Sequence, residues 1–320
     1  MLTFIMGVYS NIKLDEINDI LLHYELGAAV SFEATMSGIS NSNFQVNLCD
    51  GSSVLLKISN DKTIEQLNNE QQVLLALEKR NFRYSIHPYK TMLGKPIYNH
   101  KDYYGVVFPF INGLPPKMTL DVCSQVGKAL GSLHSLEIGK EDLDILRPHD
   151  LVGFGGQGIY EYTLKKEAPE DFVKDFNYVF PDKLQNIPYD VFPVGIIHGD
   201  LYFDNSLFNE GKLVTLIDFE QSGRGRFILD LGIAISGSCL NDKGDNLDLD
   251  LIDSFIKGYE KSRSLLTIEK EFINTAILVG FFSISLWRIK RFYEGNLDES
   301  KKNNYQDLTI RAKNFLKHIS

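Results

Sequence analysis

Apolar residues recur at helical spacing near the start of the chain, where Leu14, Ile17, Ile20, Leu21 and Tyr24 share one face and Gly27 supplies a stop. The period then changes. From Val30 to Ile58 the pattern alternates: Phe44, Val46 and Leu48 lie on one side of a strand, Asp50-Gly51 makes a turn, and Val54 to Ile58 returns, so a hairpin is expected. Thr63 to Leu77 goes back to the helical period through Leu67, Leu74 and Leu77. Val106 to Ile111 is an apolar strand ended by Asn112-Gly113-Leu114-Pro115-Pro116, and Leu120 to Leu136 reads as a helix carrying Val122, Val126, Leu130 and Leu133. Further on, the short apolar runs Val194 to Ile197 and Leu213 to Ile217 are separated by a turn at Asn209-Glu210-Gly211, which predicts a loop, strand, turn, strand unit. Gly223 to Gly225 reads as a loop. An apolar helix opens at Leu229-Asp230-Leu231-Gly232 and runs through Ile235, and residues 247–320 read as helices with apolar faces. The expected class is α+β, with a mostly β region over residues 1–111 and a mainly helical region over 112–320, divided at the Asn112–Pro116 break.

A chain of 320 residues can bury a large core and has the length of two domains or lobes. With 43% hydrophobic and 23% charged residues it reads as globular. A net charge of −9 argues against nucleic acid as a partner, since a basic stripe would be expected, and is compatible with a small cationic or zwitterionic substrate. The longest apolar stretch, Ala276 to Leu286, is broken by Gly280, Ser283 and Ser285 and falls short of the roughly 20 residues of a membrane span, so a buried helix and no membrane are expected. Residues 1–6 are apolar without the basic flank or length of a signal peptide. Cys49, Cys123 and Cys239 are odd in number and far apart, with no paired spacing, which fits a reducing cytoplasm. Oligomeric state is left open.

Chemistry concentrates between Ile196 and Glu220. His198-Gly199-Asp200, then Asn205, then Asp218-Phe219-Glu220 match the pattern by which kinases assemble a catalytic base and magnesium ligands. Phosphoryl transfer needs a carboxylate at the attacking hydroxyl and hard oxygen ligands that hold Mg²⁺ against the phosphates, because positioning and charge neutralisation supply most of the rate. A single aspartate here would be an ordinary loop carboxylate; the joint spacing is what carries the signal. Lys57 sits near the end of an apolar strand, either as a snorkelling lysine or as the partner of Glu70 on the next helix, a pairing that in kinases holds nucleotide phosphates. The small, polar Ser37–Asn43 stretch is either a plain turn or a loop whose backbone approaches phosphate oxygens. Gly153-Phe154-Gly155-Gly156-Gln157-Gly158 has dinucleotide-fingerprint spacing but follows no hydrophobic strand, so a flexible loop is expected. His134 is expected to be a structural hydrogen-bonder, Asp230 a helix N-terminal charge, and Arg288 either a solvated cation or a ligand for a carboxylate.

Taken together, Lys57, Glu70, His198-Gly199-Asp200, Asn205 and Asp218-Phe219-Glu220 resemble the aminoglycoside phosphotransferase and choline kinase superfamily across nearly the whole chain. Within it, Gly7-Val8-Tyr9, Gly38 to Phe44 and Leu286-Trp287-Arg288 look like the kinase-like homoserine kinase family. The resemblance implies a bilobal protein-kinase-like fold with ATP and Mg²⁺ as cofactors. Asp200 would be the base, Asn205 and Asp218 the metal ligands, and Lys57 with Glu70 the phosphate pair. Gly38, Ser40, Asn41 and Asn43 would meet the phosphates, and the strand end at Phe108 and Phe110 would offer backbone groups to adenine. Tyr202, Glu220 and Arg288 would join Asp200 around the acceptor, a small molecule bearing a hydroxyl, either an amino acid or an amino alcohol. Choline, ethanolamine, methylthioribose, aminoglycoside and hydroxylysine kinases share the same core, and fold and motif alone do not choose among them. A pseudokinase-type binding module is the non-enzyme alternative, disfavoured because Lys57, Asp200, Asn205 and Asp218 are all present.

Overall fold

The computed structural model describes residues 10–35, 41–60, 62–148, 156–182, 184, 187–295 and 298–319. Two compact units are present: Met1–Asn81 with Ser85–Asn112, and Phe82–Tyr84 with Gly113–Ser320.

In the first unit a five-stranded antiparallel sheet has the order β1-β2-β3-β5-β4, from β1 (Ala29–Ala34), β2 (Asn41–Leu48), β3 (Ser53–Ser59), β4 (Ile97–His100) and β5 (Tyr103–Pro109). The alternating side chains Phe44, Val46, Leu48, Val54, Leu56 and Ile58 point inward against Ile17, Ile20 and Leu21 of α1 (Leu14–Leu21). Burying each such side chain is worth about 1.5–3 kcal/mol, which is why the period of two fixes the register. Helix α2 (Ile64–Lys79) starts where Thr63 and Gln66 exchange hydrogen bonds in a capping box. β2 begins at Asn41, so Asn41 and Asn43 are strand residues, opposite Ser59 and Lys57, and not part of a loop.

The second unit is mainly helical. Helices α3 (Leu120–His134) and α8 (Leu249–Glu260) pack together, as do α7 (Phe227–Ser238) and the long α9 (Thr267–Arg288). The α7–α9 crossing depends on glycine: a Cβ on Gly232 would lie 2.2 Å from the Ala276 carbonyl oxygen, a contact no side chain permits. Beside these helices, β6 (Val194–Ile197) pairs with β9 (Gly223–Arg226), and β7 (Ser206–Asn209) pairs with β8 (Lys212–Leu216). The Gly223–Gly225 stretch is therefore a strand, not a loop; it has no apolar alternation to announce it, and its backbone is satisfied by β6 and by Arg147. Gly156, expected in a flexible loop, opens α5 (Gly156–Thr163), while Gly153 to Gly155 lie outside the described residues. Helix α6 (Glu170–Val179) packs against α10 (Tyr305–Ile319), as does α9.

Helix α9 continues into a π-helical turn, Ile289–Glu294, and the combined span Thr267–Glu294 is long and apolar enough to cross a bilayer, longer than the sequence pattern suggested. Of its most apolar stretch, 61% is buried within the protein, the condition of a core helix. Cys123 and Cys239, far apart in sequence, are both buried and meet through a thiol hydrogen bond, and both remain free thiols, as does Cys49. Burial and the neighbouring thiol push the Cys239 thiol well above its usual pKa, which keeps it protonated.

Candidate active site

In the second unit the candidate residues sit on two connections. The loop after β6 carries His198, Gly199 and Asp200 and passes through a 3₁₀ turn, Phe203–Asn205, into β7; β8 then delivers Asp218 into a second 3₁₀ turn, Phe219–Gln221. Gly199 adopts φ +80°, a left-handed conformation that glycine reaches without steric cost, and Asp218 adopts φ +63°. A non-glycine residue there marks a backbone held in place by its surroundings, as at many functional sites.

Two hydrogen bonds lock the two connections together, and a third braces the first connection internally. The His198 imidazole donates from Nε2 to the Ile217 carbonyl at 3.0 Å, Ile217 N–H donates to the Asn205 carbonyl at 3.0 Å, and Asn205 Nδ2 donates to the Asp200 carbonyl at 2.7 Å. A carbonyl only accepts, so Nε2 of His198 carries its proton. His198 is fully buried and tilted against the Phe219 ring at 4.6 Å, and burial lowers its pKa, so it is a neutral strut and not an acid or base. With Nδ2 of Asn205 donating to Asp200, its amide oxygen is the atom left to accept a hydrogen bond or ligate a cation.

The carboxyl of Asp200 is pushed well above the usual carboxylate range, first by desolvation, then by the charges of Asp218 and Asp204, while Arg288 opposes the shift. Asp200, Asp204 and Asp218 thus form a repelling acidic cluster with Arg288 within electrostatic reach. A divalent cation relieves such repulsion, and the donor set here, a carboxylate and an amide oxygen, is the hard-oxygen chemistry that Mg²⁺ prefers. Among the described residues no three His, Cys, Asp or Glu side chains come together into a complete metal cage. Asn205 and Asp218 therefore fit a Mg²⁺ that takes its remaining ligands from phosphates and water, the usual arrangement for that ion.

Tyr202 and Arg288, two of the residues expected at the acceptor, interact electrostatically with this cluster. The Tyr202 ring packs against Gly237, where a Cβ would stand 2.0 Å from the ring, and its phenol is pushed up to about 12 by burial, with Arg288 pulling the other way. Arg288 ends α9 and donates from Nη1 to the Asn304 carbonyl at 2.8 Å. Glu220 lies in the turn after Asp218, and its carbonyl accepts from Arg147 Nη2 at 3.3 Å.

The remaining candidates belong to the first unit. Lys57 and Glu70, both buried, form an ion pair with Nζ and Oε1 3.7 Å apart. Phe108 is buried in β5 opposite Leu55, and Phe110 follows the strand with its N–H donated to the Ser53 carbonyl at 3.3 Å. That hydrogen bond takes up the Phe110 N–H expected to meet adenine, and Pro109 has none to offer, so the strand end presents carbonyls. Gly38 and Ser40 lie outside the described residues.

Asp230 carries a larger role than a helix N-terminal charge. It is fully buried in the first turn of α7, where Oδ2 accepts from His198 N–H and Oδ1 from Gly199 N–H, each at 2.8 Å. Burial would raise its carboxyl, but the hydrogen bond from His134 together with those from the loop holds it below the usual range. Asp230 so clamps the two backbone groups that immediately precede Asp200. The sequence signal was present, an acid inside an apolar helix, but only the fold reveals what it faces.

The chain is similar to known proteins in sequence and in fold. The phosphotransferase enzyme family matches residues 32–265. Homoserine kinase of Caulobacter vibrioides (strain NA1000 / CB15N) is 27% identical over 274 residues, covering 83% of each chain. Amicoumacin kinase hAmiN, solved in complex with AMP-PNP, Ca²⁺ and Ami, superimposes with a TM-score of 0.68 at 15% identity over 94% of this chain and 93% of that one. A microcompartment-associated aminopropanol kinase gives 0.68 at 16% identity over 96% and 98%. The protein-kinase-like architecture expected from the sequence agrees with these matches, and with most of its length covered the chain belongs to the phosphotransferase enzyme family.

Proposed function

We propose that this small-molecule phosphotransferase is an ATP- and Mg²⁺-dependent kinase whose acceptor is homoserine. The observation that carries the reading is Arg288, a guanidinium whose charge acts on both the Asp200 carboxyl and the Tyr202 phenol. Homoserine has a primary hydroxyl, an ammonium and a carboxylate. Asp200 would take the hydroxyl proton, Asp204, Glu220 or nearby carbonyls would meet the ammonium, and Arg288 would pair with the carboxylate through the planar fork that suits it. Asn205 and Asp218 would hold Mg²⁺, which would supply charge neutralisation for the transferred phosphoryl group. Lys57, oriented by Glu70, would contact the nucleotide phosphates. The protein would work in the cytoplasm as a small-molecule enzyme.

A second reading, an amino-alcohol kinase acting on choline or ethanolamine, is favoured by the same acidic cluster, because a bare ammonium acceptor would need carboxylates and no cation. Acceptor kinetics separate the two. Homoserine should be preferred by kcat/KM over choline, ethanolamine and aminopropanol. Arg288→Ala should raise the homoserine KM by about 10- to 100-fold, the worth of a charged hydrogen-bonded pair, while barely changing weak turnover of acceptors without a carboxylate. A better kcat/KM for an amino alcohol would overturn the homoserine assignment, and an unchanged homoserine KM in Arg288→Ala would remove that residue from the acceptor site.

A further inference from the structure

The Asp230 clamp on the catalytic loop is the end of a longer buried chain of hydrogen bonds. His134, in the last turn of α3, places Nε2 at 2.9 Å from Asp230 Oδ2 and Nδ1 at 2.8 Å from the Tyr259 hydroxyl. Arg263, just past α8, donates from Nη1 to the same hydroxyl at 3.0 Å and from Nη2 to Glu269 Oε2 at 2.9 Å. Glu269 Oε2 also accepts from Leu266 N–H at 2.9 Å. His134, Asp230, Tyr259 and Glu269 are all buried, and the Arg263 side chain is 13% exposed. The His134 ring stacks on Phe227 at 4.3 Å and the Arg263 guanidinium lies 4.8 Å from the same ring.

The direction of every proton in this chain is fixed from its ends. Arg263 can only donate, and the Asp230 carboxylate can only accept. The Tyr259 oxygen therefore accepts from Arg263 and donates its hydrogen to His134 Nδ1, which leaves Nε2–H to donate to Asp230. Burial keeps His134 neutral, consistent with one proton on its ring. Only one tautomer satisfies all four groups. If the Tyr259 hydroxyl is lost, His134 keeps Nε2–H on Asp230 but loses the hydrogen bond that fixes the far side of its ring, so the ring can shift and loosen the acid that holds His198 and Gly199.

We propose that Tyr259 and Arg263 are positioning residues for phosphoryl transfer: through His134 and Asp230 they set the backbone that carries Asp200, although neither touches nucleotide or acceptor. The proposal rests on the reading of Asp200 as the base. Buried polar groups are costly and are often replaceable by packed apolar ones, so a chain spanning α3, α7, α8 and α9 and ending on the two N–H groups before Asp200 has a reason beyond stability.

The test measures phosphoryl transfer from Mg²⁺-ATP to homoserine, or to water if homoserine is not accepted, in Tyr259→Phe, Arg263→Met, their double variant and Arg263→Lys, with thermal melting alongside. Tyr259→Phe and Arg263→Met should each lower kcat by about tenfold, with the nucleotide KM unchanged within about twofold, because a slightly displaced loop costs chemistry more than binding. The double variant should lose no more than the worse single one, since the chain is then already broken, and Arg263→Lys should recover most of the rate. A folded Tyr259→Phe with kcat within about twofold of the unmodified protein, or losses that multiply in the double variant, would overturn the proposal. If Arg263→Met fails to fold, Tyr259→Phe decides alone. Asp200→Asn in the same assay separates the two levels: if it keeps its turnover, the reading of the base fails, whereas its loss with an intact Tyr259→Phe sinks only the positioning chain.

Discussion

Asp200 is a carboxyl whose surroundings favour the proton, and this has a consequence for stability as well as for rate. Its folded pKa lies above its unfolded one, so the folded state is favoured at low pH and that contribution is lost as pH rises through the folded value. At neutral pH without metal the ionised group is a burden. Asp200→Asn is therefore expected to raise Tm at pH 7 in metal-free buffer, with a gain that shrinks on adding Mg²⁺ and disappears below about pH 4, where both states are protonated. The same substitution should cut kcat by at least about 100-fold while nucleotide still binds. Equal melting temperatures at pH 7 would mean that the cluster does not repel as described. For the metal ligands, Asn205→Ala and Asp218→Ala should each raise the Mg²⁺ concentration for half-maximal turnover by about tenfold or more, the aspartate being the worse because it removes a formal charge. A magnesium titration superimposable on that of the unmodified protein would exclude the substituted residue.

At the scale of elements, α7 is the part on which the loop is mounted: Asp230 in its first turn holds His198 and Gly199, and Gly237 near its end seats the Tyr202 ring. Asp230→Ala would strand two buried N–H groups and the His134 ring, and should cost about 3–5 kcal/mol of folding stability by urea denaturation, the usual cost of breaking a buried charged network. A loss below about 1 kcal/mol would show that the loop finds other partners. Elements with a strong apolar period were legible in the sequence: the β2–β3 hairpin, α2, α3, α7 and the β7–β8 pair all lie close to their expected positions. Elements that draw stability from a partner's backbone were not. β9 reads Gly-Arg-Gly-Arg and exists because β6 pairs with it, and Asn41 to Asn43 look like a turn but extend β2. The motif around Asp200 was readable because its spacing is local. The clamp by Asp230 joins residues about thirty positions apart, and no local pattern encodes such a meeting.

For the whole molecule, two fully buried neutral histidines make the second unit sensitive to acid. Burial lowers the pKa of His134 and His198 in the fold, with Asp230 opposing the shift in both cases. A group depressed below its unfolded pKa contributes stability above that value and loses it as pH falls. Asp230, itself held below the usual carboxylate range, adds a further loss at lower pH. Tm should consequently decline from about pH 7 toward pH 5, and His134→Gln, which cannot take up a proton, should decline less steeply. Identical slopes in the two proteins would assign the acid sensitivity elsewhere.

The Arg288 guanidinium is tethered to the main-chain carbonyl of Asn304 and not to a side chain. Every amino acid offers that carbonyl, so the tether survives any mutation at position 304 that leaves the backbone path unchanged. The proposed base and metal ligands lie on the β6–β7 loop and just beyond β8, while this cation stands at the end of α9. If Arg288 pairs with the acceptor as proposed, acceptor preference in a lineage of such enzymes can drift through codon 288 alone, with the machinery of transfer inherited intact.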